Sequence, residues 1–219
     1  MIGLVDYGMG NRRSVEKALE HLGAAVLVSS DPAALGAAHG LVVPGVGAFP
    51  SAMERLRALG LDAFLVERAG AGIPILGICL GMHLAFEHSS ELGGADGLGL
   101  VPGAVRELDA GGLKLPQIGW NEVRWERRAP FLDGVRDAPV YYHVHSYVGV
   151  PDDPDHVVGT AEYGERFPAV VARGSFVGVQ FHPEKSSHDG LALLAGWLAV
   201  CDGAADVAVR SGRDLGEAR

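Results

Sequence analysis

Ile73-Pro74-Ile75-Leu76-Gly77-Ile78-Cys79-Leu80-Gly81-Met82 decides the fold. Its first six residues are an apolar run of strand length. Met82, Ala85 and Phe86 then fall at spacings that place one apolar face on a helix opening near Gly81. A buried strand passing straight into a helix is the joint from which parallel α/β sheets are assembled. The turn between them, Gly77-Ile78-Cys79-Leu80-Gly81, has the form G-x-C-x-G, the thiol counterpart of the G-x-S-x-G elbow. Such an elbow exposes the sulfur at the carboxyl end of a strand and at a helix amino terminus, where the dipole favours the thiolate.

The same alternation extends upstream. Ile2 to Val5 predicts a first strand, and Val15, Ala18, Leu19 and Leu22 follow at helical spacing. Ala25 to Val28 is strand-like, Leu41-Val42-Val43 runs into the glycine-rich turn Pro44-Gly45-Val46-Gly47, and a helical pattern returns from Ser51. Downstream of about Leu98 the runs shorten and gain β-branched and aromatic residues: Val105 to Leu108, Trp120 to Trp125, Val140 to Val144, Val157 to Thr160, Ala169 to Ala172 and Phe176 to Phe181. Leu191, Leu194, Ala195 and Leu198 predict a last helix. The expected architecture is one α/β domain, residues 1–201, with a largely parallel sheet, helices on both faces and a β-rich insertion around Leu98 to Trp125. Residues 202–219 are small, polar and charged, and read as a disordered tail.

Charge and composition narrow the function classes. A net charge of −9 offers no broad attraction to phosphate backbones or anionic lipid, so nucleic-acid and membrane partners are not expected. No apolar run approaches the ~20 residues of a membrane-spanning helix, and the amino terminus lacks the basic region of a signal peptide. The two cysteines, Cys79 and Cys201, make no disulfide scaffold, which points to a cytoplasmic setting. Cys201 lies beyond the last helical pattern without glycine flanks and reads as an ordinary small hydrophobe.

A thiolate nucleophile needs a proton carrier for its leaving group, and the carrier needs an orienting acceptor. His182-Pro183-Glu184 supplies both. The strand from Phe176 delivers His182 to its carboxyl end, and Pro183 fixes a dihedral so that Glu184 reaches the imidazole nitrogen facing away from sulfur. An oxyanion hole requires backbone amides aimed at the tetrahedral oxygen. The Pro44 to Gly47 turn, with Val46 and Gly47, and the amide of Leu80 are the candidate donors, and a plain structural turn is the alternative for this segment.

With these residues in hand, the chain resembles the glutaminase subunits of imidazole glycerol phosphate synthases, class I glutamine amidotransferases of histidine biosynthesis. The resemblance runs to about Val200. It rests on Asp6-Tyr7-Gly8-Met9-Gly10-Asn11, Pro44-Gly45-Val46-Gly47-Ala48-Phe49, Gly77-Ile78-Cys79-Leu80-Gly81-Met82, Gly119-Trp120-Asn121, His145-Ser146-Tyr147 and Gln180-Phe181-His182-Pro183-Glu184-Lys185-Ser186. It implies a flavodoxin-like class I amidotransferase fold, a catalytic triad of Cys79, His182 and Glu184, and a switchable oxyanion donor in the Pro44 to Gly47 loop. It also implies glutamine contacts from Gly45, Ser146 and Tyr147. Asn11, Trp120, Asn121, Tyr142 and Lys185 would face a (β/α)₈-barrel cyclase subunit in a heterodimer, with ammonia passed to it and no metal or organic cofactor. Two positions depart from the family pattern: His83 stands where glutamine is usual, and Gln117 where histidine is frequent. Placed one helical turn from Cys79, His83 is expected to bond the substrate in place of glutamine rather than pair with the thiolate.

Rival readings are weaker on the same residues. Cys79 and His83 at i and i+4, with His143 and His145 at i and i+2, outline a metal set, but a metal would occupy the thiolate the elbow prepares. Gly8-Met9-Gly10 opens like a dinucleotide fingerprint, yet Arg13 stands where its third glycine belongs. Glutaminases serving vitamin B6, guanylate or anthranilate synthesis share the chemistry but not the segments around Pro44 and after Glu184. A non-catalytic binding subunit on the same fold predicts no covalent adduct at Cys79.

Overall fold

The computed structural model describes residues 1–203; the expected tail falls, from residue 204 on, outside the described residues. The chain runs β1 (Ile2–Val5), α1 (Arg12–His21), β2 (Val26–Ser29), α2 (Pro32–Leu35), β3 (Gly40–Gly45), α3 (Phe49–Ala58), α4 (Leu61–Gly70), β4 (Ile75–Cys79) and α5 (Leu80–His83). It continues through β5 (Phe86–Ser89), β6 (Ala95–Asp96), β7 (Val101–Glu107), β8 (Gln117–Glu122), β9 (Arg124–Trp125), β10 (Val140–His145) and β11 (Tyr147–Pro151). Then come β12 (Val157–Tyr163), β13 (Glu165–Arg173), β14 (Phe176–Val179) and α6 (Ser187–Cys201).

The central sheet has the order β2-β1-β3-β4-β14-β13-β12-β9. Its first five strands are parallel, and β13, β12 and β9 extend it antiparallel. Because side chains alternate across a strand, the inner parallel strands feed two cores. Leu4, Val42, Leu76 and Ile78 pack toward α1 and α6, where Leu19, Leu194 and Trp197 close the layer. Val5, Leu41, Val43 and Ile75 face the opposite layer of Leu35, Met53, Leu56 and Leu65 from α2, α3 and α4. Helices therefore cover both faces, as the alternation predicts.

The β-rich part begins earlier and ends later than the span from Leu98 to Trp125. One accessory sheet has the order β11-β7-β5-β6, and β8 pairs with β10 in a two-stranded ribbon. The helix expected through Phe86 is the clearest correction. It stops after His83, and Phe86 starts a strand that runs parallel to β7 with Phe86 opposite Val101. Leu84, Ala85 and Phe86 are all fully buried, so the segment has no polar face for a helix to present; pairing with β7 satisfies its backbone instead. The expected strand from Trp120 to Trp125 divides at Val123 into β8 and β9, which belong to different sheets.

Candidate active site

Gly77 and Gly81 make the elbow possible. A Cβ on Gly77 would lie 2.6 Å from the Gly81 carbonyl oxygen, and one on Gly81 would overlap the carbonyl of Val43 on the adjacent strand. With both side chains absent, β4 turns into α5 within one residue. Cys79, at φ 53° and ψ −109°, carries the strain, a conformation costing on the order of 1–3 kcal/mol for a residue with a side chain. Gly45 stands opposite Cys79 in the β3–β4 register.

Cys79 opens on a cleft of about 310 Å³, lined with it by Val46, Gly47, Leu80, His83, Ser146, Tyr147, His182 and Lys185. That volume suits a small ligand. The cleft thus collects residues expected to act as nucleophile, base, oxyanion donors and substrate contacts from four separate stretches of chain. Gly45 is not part of the lining; a side chain there would run into the Tyr7 hydroxyl, Leu80 Cβ and the Gly81 amide nitrogen. Lys185, expected to face a partner, lines the cleft as well.

His182 Nδ1 is 2.9 Å from Glu184 Oε1, and the two side chains are 4% and 1% exposed. The short helical turn Pro183–Lys185 brings the carboxylate back under the ring. The backbone of His182 is pinned on both sides. Its amide donates to the Tyr142 carbonyl, and its carbonyl accepts from Ser186 Oγ at 2.6 Å, while Ser186 Oγ accepts from the Tyr142 amide. Burial opposes charge on His182, but hydrogen bonds and opposite charge from Cys79 and Glu184 prevail and raise its pKa to about 9. The imidazolium is thus the resting form at neutral pH. Cys79 Sγ itself lies 3.9 Å from the Val144 carbonyl oxygen.

His83 is buried in the cleft wall with Nε2 2.7 Å from Gln180 Oε1. Burial holds its pKa down to about 4 despite that bond, so it is neutral at pH 7. Neutral His83 donates from Nε2 to the Gln180 oxygen, which leaves Nδ1 as an acceptor. His143 and His145, which follow on β10, are also desolvated, to pKa values of about 4 and about 3. Their Nδ1 atoms bond the Tyr141 and Tyr147 carbonyls, at 3.1 and 3.0 Å. Gln117 is buried beside His145 in the β8–β10 register. Among the described residues, no three His, Cys, Asp or Glu side chains group as a metal-holding set.

Sequence reasoning missed Glu91, Pro116 and Val144 in the cleft wall. Glu91 is the important omission. Its Oε2 accepts from the Phe49 amide at 2.8 Å, tying the accessory sheet to the start of α3 just beyond the Pro44 to Gly47 loop. Nothing in the run Ser89-Ser90-Glu91 signals this, since the contact joins residues 42 apart. On the outer surface, Trp120 is 57% exposed and meets Tyr142 edge-on at 6.0 Å between ring centroids. Ile118, on the same strand, is 62% exposed. Asn121 Nδ2 donates to the Glu162 carbonyl, and exposed Asn11 donates to Ser14 Oγ at the start of α1.

The class I glutamine amidotransferase family model matches residues 3–198. The chain is 48% identical over 203 residues to an imidazole glycerol phosphate synthase subunit HisH of Bacillus cereus, covering 92% of this chain and 96% of that one. The HisH subunit of Moorella thermoacetica is 49% identical over 193 residues, covering 88% and 91%. Among solved structures, a glutamine amidotransferase superposes with a TM-score of 0.73 at 19% identity, covering 92% of this chain and 98% of that one. A PurLQS structure from Thermotoga maritima gives 0.69 at 21% identity, covering 91% and 97%. These structural likenesses concern the fold.

Proposed function

The chain belongs to the class I glutamine amidotransferase family, and from that premise we propose that it is the glutaminase subunit of an imidazole glycerol phosphate synthase. It hydrolyses glutamine and hands the ammonia to a cyclase subunit, which makes imidazole glycerol phosphate and an aminoimidazole carboxamide ribotide in histidine biosynthesis. High identity to HisH subunits along nearly the whole length supports the assignment. The observation that carries the chemistry is the strained Cys79 facing a buried His182–Glu184 pair across one cleft.

Cys79 thiolate attacks the side-chain carboxamide carbon of glutamine. Amides of the Val46–Gly47 segment and of Leu80 take the developing oxyanion. As the C–N bond breaks, His182, held by Glu184, gives its proton to the departing nitrogen, so ammonia leaves and a thioester remains. Neutral His182 then takes a proton from water as it attacks the thioester, and glutamate departs with the thiolate restored. Ser146, Tyr147 and the Nδ1 lone pair of His83 hold the substrate, and the Glu91 carboxylate offers a counter-charge to its α-ammonium group.

The cyclase docks on the face bearing Asn11, Trp120, Asn121 and Tyr142, with Lys185 at the rim of the cleft. Exposed Trp120 and Ile118 beside Tyr142 give that face the aromatic and aliphatic surface that partner contacts favour. Reaction in the cytoplasm accords with the free cysteines and the acidic charge. The test uses the chain together with its cyclase. A Cys79→Ala variant abolishes synthesis driven by glutamine while synthesis from added ammonium persists; loss of both makes the cysteine structural and the proposal wrong.

A further inference from the structure

The loop after β1 packs against the Pro44 to Gly47 loop through one phenol. Tyr7 is buried at 1% exposure, and its hydroxyl donates to the Pro44 carbonyl at 2.8 Å. The same hydroxyl occupies the space that a side chain on Gly45 would fill. Gly45 in turn pairs with Cys79. A Cβ on Gly10 would come within 3.4 Å of the Pro44 and Gly45 backbone, and one on Gly47 would meet the Met9 methyl at 2.7 Å, so both glycines leave room for close approach of the two loops. Burial pushes the phenol's pKa well above its usual value, with the Cys79 charge adding to it, so Tyr7 remains a neutral donor and lies within the field of the nucleophile.

Pro44 is the penultimate residue of β3 and has no N–H of its own. Its carbonyl belongs to the Pro44–Gly45 peptide, so fixing that oxygen fixes the plane from which the following amides project. Beyond Gly45 the restraint ends: Val46 is 43% exposed, and Gly47 adopts φ +110°, a conformation glycine reaches freely. We propose that Tyr7 is a positioning residue for the glutaminase reaction, its hydroxyl pinning the Pro44–Gly45 peptide so that movement is confined to Val46 and Gly47 and their amides meet the oxyanion. The inference rests on the reading of this chain as a glutaminase.

The hydroxyl acts on the transition state and not on ground-state binding, which separates it from a structural role. In the complex with cyclase, Tyr7→Phe keeps the ring and loses only the donor. It lowers kcat for glutamine hydrolysis about tenfold, the size of one hydrogen bond, with KM for glutamine within about twofold. The rate of Cys79 alkylation by iodoacetamide stays unchanged, because the elbow is intact. Tyr7→Leu, which also empties part of the ring's space, shows the same kcat loss with a lower melting temperature. A wild-type kcat in Tyr7→Phe, a change confined to KM, or kcat losses that scale with the fall in melting temperature across the two variants would each overturn the proposal. If the wild-type complex itself consumed no glutamine, the glutaminase reading would fail instead.

Discussion

Acidification should unfold this protein well before its carboxylates titrate, because three histidines are buried uncharged around the cleft. His83, His143 and His145 are 5%, 0% and 6% exposed, with pKa values held to about 4, about 4 and about 3. Desolvation is the main cause in each, and charge on His143 and His83 further opposes protonation of His145. Unfolded, each returns to about 6.5. Between roughly pH 6.5 and 4 the unfolded chain therefore binds more protons, and stability falls as pH falls. From pH 7 to 5 the loss is about 2 kcal/mol per histidine, or roughly 5–6 kcal/mol for the three. His182 runs the other way. Its folded pKa of about 9 lies above the unfolded value, so its contribution is complete below pH 6.5 and lost as pH rises through 9. Between pH 7 and 5 it returns about 1 kcal/mol or less. The net loss of about 5 kcal/mol is comparable to the whole stability of many domains. Urea unfolding at pH 7.0, 6.0 and 5.0 measures it, and His143→Leu should remove about a third of the slope. A stability that changes by less than about 1 kcal/mol over this range would refute the argument, since the histidines would then have to be hydrated.

Substitutions at two positions test the site itself. Glu184→Gln removes the ionic partner of His182; kcat should drop roughly 30- to 100-fold, the value of one charge-assisted hydrogen bond, and the alkaline limb of the pH–rate profile should move from about 9 toward 6.5. His83→Gln keeps a donor for the Gln180 oxygen and an acceptor for substrate, so kcat and KM for glutamine should stay within about threefold. His83→Leu leaves the Gln180 oxygen unpaired, and both stability and KM should suffer; equal behaviour of the two variants would remove His83 from the substrate site.

The elbow and the His182–Glu184 pair were legible in the sequence because both are local. Glycine spacing around Cys79 and a proline between base and carboxylate fix geometry within five residues, whatever the rest of the chain does. Strand and helix alternation likewise exposed the parallel half of the sheet, where the inner strands bury both faces. The segment after His83 was not legible. Leu84, Ala85 and Phe86 are apolar at helical and strand spacing alike, and pairing with Val101 decides between the two only after β7 arrives. Glu91 and the His83–Gln180 bond were hidden for the same reason. They join residues 42 and 97 positions apart, and no local pattern records such contacts.

In the proposed reaction Cys79 is the nucleophile toward glutamine. Treating the complex with a glutamine-like chloroketone and digesting it for mass spectrometry tests this most directly. One adduct should form on Cys79, be suppressed by glutamine, and disappear in His182→Ala, while Cys201 stays unmodified. An adduct on Cys201 with Cys79 untouched, or labelling of Cys79 that glutamine does not slow, would contradict the account.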